Sequence, residues 1–244
     1  MLLPIYVKTN IAKVCVAYKD NTKEVATAAT PVYIVDQIVS TSARNNEGEV
    51  GEKANVFVSK PGFGSDSVVS SSEGTFTGWG VGSVVKMLKN NYGDVKSTTD
   101  GSVLVWDVAA SKMPAANEWI NKPLVSINGT AYRTLVGVIE SINPETGDVS
   151  FIPSTNFSSI DADPENPSKR ENFTIKHTSE SDCGFVVYDA AYIGEDPVYQ
   201  ITYEELEGTL TKYEDDPSNA TEVLVHLTGP SSSLQPRLIY IIKR

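Results

Sequence analysis

The stretch AYRTLVGVIESINPETGDVSFI, residues 131–152, decides the fold. Residues 131–142 and 148–152 are rich in β-branched and aromatic side chains, the composition that suits a pleated, half-buried surface. Between them lies NPETGD (143–148), with Pro and Gly where a tight loop needs them. Two such runs about a short loop read as strand, turn, strand. Just upstream, Asn128-Gly129 is the pair a type I′ hairpin turn demands, and it separates PLVSI (123–127) from the same 131–142 run.

The period-two pattern recurs outward from this stretch. Strands are expected at 11–20, 30–41, 54–60, 102–108, 172–177, 183–190, 197–203, 221–227 and 237–243. Helix signals are few. Ser83 is placed to cap a short helix over VVKMLKNN (84–91), with Val84, Val85 and Leu88 on one face and Gly93 as the stop. MPAANEWINK (113–122), anchored by Trp119, and YEELEG (203–208) have room for a turn or two. Strands do not alternate with long helices, which argues against a doubly wound α/β fold. The expectation is a mainly β protein, an antiparallel sandwich or barrel with one or two short helices.

Three stretches read as long polar loops: SARNNEGEVGEK (42–53), GSDSVVSSSEG (64–74) and SSIDADPENPSKRE (158–171). Loops of that length are usually functional or flexible, so they are expected to order against neighbouring subunits. A charge shift and Pro114 place a boundary near 112–122. It divides an N-terminal β-rich region, 1–115, from an acidic C-terminal β-rich region, 116–244, unless the chain is a single domain.

The 244 residues carry a formal charge of −11. Residues 1–120 hold 11 Lys/Arg and 12 Asp/Glu, a net of −1; residues 121–244 hold 9 and 19, a net of −10. Such a field repels nucleic acid and anionic lipid, and no basic stripe offsets it. It suits a solvated surface or an acidic face for a basic partner. No apolar run approaches the roughly 20 residues that span a bilayer, and MLLPIYVKTN has no basic n-region, so neither a membrane span nor a secretory leader is expected. Two cysteines do not make a disulfide framework; Cys15, among valines, reads as a small buried hydrophobe. Asn-x-Ser/Thr triplets at Asn128, Asn156, Asn172 and Asn219 are no more than this composition produces by chance.

In GTFTGWGVGS (74–83), Gly78, Gly80 and Ser83 approximate a dinucleotide fingerprint. The preceding residues are polar rather than a buried strand, Asp100 reads as a turn residue, and G-K-[ST] is absent. The loop is therefore read as a turn, with Phe76 and Trp79 packing and glycines that permit positive φ and close approach. Asp161, Asp163 and Glu165 have the spacing that opens an EF-hand loop, but Asn166 and Asn172 stand where Gly and Glu are required. That leaves an acidic loop open to casual binding of a divalent cation. His177, Asp182, Cys183 and His226 contain the makings of a Cys–His pair. Cys183 falls at a strand start rather than a helix N-terminus, and His226 alternates with Val225 and Leu227, so both read as ordinary strand residues. Asp215-Asp216 and Glu204-Glu205 sit in polar stretches. No catalytic, cofactor-binding or metal-binding residue is assigned, and the chain is not read as an enzyme.

Many short strands, Ser/Gly/Asn-rich loops, an acidic surface and phrasing such as VIESINPETGDVSF (138–151) resemble virion structural proteins of tailed bacteriophages. Decoration or auxiliary capsid, neck and tail components are the relevant kinds. The resemblance runs over the whole chain without a specific motif, so it assigns no residue a role. It implies a non-enzymatic particle component, assembled in the host cytoplasm. Its partners would be copies of itself and other virion proteins, without direct contact to nucleic acid or membrane. Loops 42–53, 64–82 and 158–171 and the apolar stretches MLLPIYV and RLIYIIKR would then meet neighbours. The alternative is a carbohydrate- or surface-binding β-sandwich module with Trp79, Trp119, Tyr92 and Tyr132 as stacking platforms.

Overall fold

The computed structural model describes residues 26–60, 62–110, 113–114, 119–157, 166–175, 183–192 and 196–244. The expected strand at 11–20 with Cys15, the stretch MLLPIYV, the acids Asp161, Asp163 and Glu165, and His177 and Asp182 lie outside these residues.

Sheet I is built from β1 (Tyr33–Arg44), β2 (Val50–Val58), β3 (Gly64–Val69), β4 (Val84–Lys86) and β5 (Val103–Trp106), in the order β3-β2-β1-β4-β5. Sheet II takes the remaining strands. These are β6 (Val125–Ile127), β7 (Thr130–Ile142), β8 (Asp148–Pro153), β9 (Glu171–Thr174), β10 (Gly184–Asp189), β11 (Val198–Ile201), β12 (Glu222–Gly229) and β13 (Gln235–Lys243). Their order is β11-β10-β13-β12-β7-β8-β9, with β6 beside the start of β7. Every pair is antiparallel except β10 with β13. Among the described residues one short α-helix, α1 (Tyr203–Thr209), links β11 to β12; the Thr202 N–H donates to Glu205 at 2.8 Å in a capping box. The sheets pack face to face and, among the described residues, keep free edges, so the fold is sandwich-like and not a closed barrel.

The opening stretch behaves as read. Asn128 and Gly129 both take positive φ, as a type I′ turn requires, and β7 pairs with β8 across the 143–148 turn. Leu135 and Ile139 of β7 face one core and Val136 the other, which is why the run is apolar at nearly every position. Between Val125 at the start of β6 and Pro153 at the end of β8, the outer edge of β7 has no strand partner among the described residues. Asn121 fills the gap. Its amide accepts from the Val136 N–H at 2.8 Å and donates to the Val136 carbonyl at 2.9 Å, while its own N–H donates to the Thr134 carbonyl.

Three expectations are corrected. Residues 84–86 form a strand, not a capped helix. Val84 faces the inter-sheet core and Val85 the opposite core, so the helical spacing was coincidental, and paired β-branched residues buried on both faces favour a strand. The 42–53 stretch is the outer half of the β1–β2 hairpin around a short turn at 45–49, not a loop. The 64–74 stretch contains β3, an edge strand whose polar residues reach solvent. RLIYIIK supplies β13, which lies inside sheet II between β10 and β12.

Val32, Ile34, Val84 and Trp106 of the first half interlock with Val136, Leu224, Leu238 and Tyr240 of the second. Each such aliphatic, fully buried, contributes roughly 1.5–3 kcal/mol. Phe76, Trp79 and Met87 cover the outer face of sheet I, and Leu206 of α1 helps to cover that of sheet II. Two hydrogen bonds also tie the halves together: Tyr240 Oη to the Gly82 carbonyl at 2.8 Å, and Arg244 to the Val108 carbonyl at 2.7 Å.

Candidate functional site

The glycine-rich loop is a turn that uses its own donors. Glu52, buried on β2, accepts from the Gly74 N–H at 3.1 Å and the Phe76 N–H at 2.7 Å. The Trp79 N–H donates to the Phe76 carbonyl, the Gly80 N–H to Ser83 Oγ, and the Gly82 N–H to the Val35 carbonyl. A phosphate cradle needs such donors free and a helix behind them. Here a carboxylate occupies the place of the anion, and β4 follows instead of a helix. Phe76 and Trp79 are buried with ring centroids 5.1 Å apart. Asp100 lies in a turn and accepts from the Ser97 hydroxyl.

The Cys–His candidate separates. His226 lies on the inter-sheet face of β12, paired in register with Leu238, and its Nδ1 is 2.9 Å from Thr134 Oγ1. Burial pushes its pKa down to about 3, aided by the nearby charge of Lys86. Cys183 packs against the core on the other side of sheet II, and burial pushes its thiol up to about 12. Neither a thiolate nor a shared site results.

The carboxylates also have local work. Glu205 caps α1, Asp215 pairs with Lys212 at 3.5 Å, and Asp216 accepts from Asn219 and from the Ser218 N–H. A broad groove of about 840 Å³ beside the 143–148 turn is lined by Glu145, Asp148, Asn172 and Glu214. Its central acid, Asp148, accepts from the Thr174 and Thr146 hydroxyls, which hold its carboxyl below the usual range. Among the described residues, no group of three or more His, Cys, Asp or Glu is placed to hold a metal ion. No helix among them is long and apolar enough to cross a membrane.

Of the four proposed stacking aromatics, Trp79 is core and Trp119 packs against the inter-sheet core. Tyr132 is half-buried on β7, and Tyr92 is 60% exposed near sheet I. They form no common platform.

What the sequence did not reveal is an overhang. Ile34 and Phe57 pair across the β1–β2 hairpin inside the inter-sheet core. Two residues further out on β2, Asn55 points to the same side and pairs with Gln37, and both have left the core. Among the described residues none from there to the turn belongs to the inter-sheet core, and two register shifts follow along β1. The hairpin carries Val39 at 46% and Val50 at 50% exposure, and the Asn46 amide ties its turn to Tyr92 through a 2.9 Å bond to the Tyr92 carbonyl. Two exposed valines in a polar stretch were the only sequence signal.

In comparisons with known proteins, no family model, no curated protein and no solved structure matches this chain.

Proposed function

We propose that this chain is a non-enzymatic structural protein of a viral particle, of the kind found in tailed bacteriophages, acting through contacts with copies of itself and with other particle proteins. The overhanging β1–β2 hairpin carries this reading. A hairpin that packs into the inter-sheet core at its base and, beyond Gln37 and Asn55, carries Val39 and Val50 exposed suits repeated contact with a neighbouring copy. Among the described residues, β3 beside it has no strand partner on its outer edge before Val69, whose carbonyl accepts from the Val95 N–H, and so offers backbone groups to the same neighbour. The core on both faces of sheet II supports the reading by giving such a contact a rigid base.

Electron microscopy of concentrated protein tests it. Rings, tubes or sheets that vanish when Val39 and Val50 are both changed to Asp are the expected result. Monodisperse single chains in every field, for wild type and variant alike, would overturn it.

A further inference from the structure

The least expected side chain in the molecule is Lys86. It lies on the inter-sheet face of β4, beyond Val84, and is 2% exposed. Its ammonium donates to the Thr30 carbonyl at 2.7 Å and, weakly, to the Ala28 carbonyl at 3.4 Å. It stands 6.0 Å from the ring centre of Trp119. Among the described residues it has no carboxylate partner, although a buried ammonium normally requires one. His226, whose pKa the charge of Lys86 helps to lower, is bound to Thr134, and an imidazole supplies no negative charge in either protonation state.

The ammonium borders a cavity of about 60 Å³ between the sheets. Ala28, Trp119, Tyr132, Thr134 and Arg133, whose guanidinium is paired with Glu171, line it, and Lys122 stands exposed at its rim. No Asp or Glu is among the described lining residues. Two neutral carbonyls use at most two of the three donors of a primary ammonium. The volume equals about two waters at roughly 30 Å³ each. That excludes nucleotides and sugars and leaves room for a small ion.

We propose that this cavity is a binding site for one small anion, which neutralises Lys86 between the two sheets with Lys122 at the entrance. The Trp119 ring closes one side and Thr134 the floor. The anion acts as a structural ligand, bridging β4 of sheet I and β7 of sheet II. The proposal is independent of the particle reading, since an isolated chain would bind the ion equally well.

Amide and indole NMR shifts of the full chain test it during titration with chloride, acetate or phosphate, each against a bulky sulfonate buffer at equal ionic strength. The expected result is saturable movement of the Trp119 indole and Thr134 amide signals with at least one of the three, which identifies the ion. Lys86→Met is expected to weaken that binding about tenfold or more, the loss of one charge-assisted contact. Lys122→Ala, at the exposed rim, keeps the test open should Lys86→Met fail to fold, and is expected to weaken binding by a smaller factor. The charged and titratable groups around the site are His226 on β12, Tyr132 and Arg133 on β7, the latter paired with Glu171, and Lys122 at the rim. Burial lowers the Lys86 pKa to about 8, so binding should fade as pH rises through that value. No saturable movement with any of the three anions overturns the proposal, and so does unchanged affinity in both variants.

Discussion

Alanine at Gly82 and at Gly78 should have very different costs, although the two glycines belong to one turn and have nearly the same φ, +85° and +83°. An L-residue in that region costs roughly 1–2 kcal/mol. At Gly78 nothing lies within 4 Å of an added Cβ, so Gly78→Ala carries that cost alone. At Gly82 the same Cβ meets the Tyr188 ring at 2.6 and 2.9 Å and the Tyr240 hydroxyl at 3.1 Å. Tyr188 packs against the inter-sheet core and Tyr240 is inside it, so neither has free space to retreat into. Overpacking of this kind adds about 1–3 kcal/mol. Displacing the Tyr240 hydroxyl from the Gly82 carbonyl adds about 1 kcal/mol more. Gly82→Ala should therefore destabilise by about 3–6 kcal/mol against about 1–2 for Gly78→Ala. Urea unfolding with a shared m-value measures both. Equal losses would refute the idea that this turn is held by close approach to sheet II, and would leave backbone conformation as the whole reason for its glycines.

Two further outcomes follow from buried polar contacts. Asn121→Ala strips the Val136 N–H and carbonyl of their partners at the gap in the β7 edge, and should cost about 2–3 kcal/mol in the same assay; a loss below about 0.5 kcal/mol, the usual limit for an unremarkable surface site, would show that water replaces the amide freely. Asp36 of β1 faces Asp196, and its carboxyl is raised to about 6, first by burial and then by the charge of Asp196 and the hydrogen bond between them. The folded chain thus keeps a proton that the unfolded chain releases near pH 4, so stability should fall as pH rises from about 4 to about 6. The pair is partly exposed, and solvent screening reduces the step to about 1 kcal/mol. Asp36→Asn should abolish it; a step that persists in the variant would assign it elsewhere.

The strands legible in the sequence were those buried on one or both faces. β7, β8, β12 and β13 announce themselves because core contact on successive residues leaves a run of Val, Ile, Leu and aromatic side chains, and the Asn128-Gly129 and 143–148 turns have distinctive chemistry. β3 was hidden because an edge strand facing water is free to be Gly-Ser-Asp-Ser. The outer half of the β1–β2 hairpin was hidden for a similar reason: among the described residues it adds nothing to the inter-sheet core, and Val39 and Val50 are exposed. β4 misled because a three-residue strand followed by Met87 and Leu88 mimics helical spacing. The turn at 74–83 was legible in kind, with Phe76 and Trp79 buried and glycines at positive φ, but its anchor was not: Glu52 is more than twenty residues away in the chain. The Lys86 cavity draws on residues 28, 86, 119, 132 and 134, and only folding brings them together.

The most direct measurement of the central claim is the mass of the purified chain in solution by light scattering across a wide concentration range, with the Val39→Asp, Val50→Asp double variant beside it. The expected result is mass that rises with concentration to a defined multiple of 26.4 kDa in the wild type, while the variant stays at one chain with unchanged thermal stability. A wild type that remains a single chain at every concentration, or a variant that assembles just as well, would contradict the proposal that this protein works through contacts made by its overhanging hairpin.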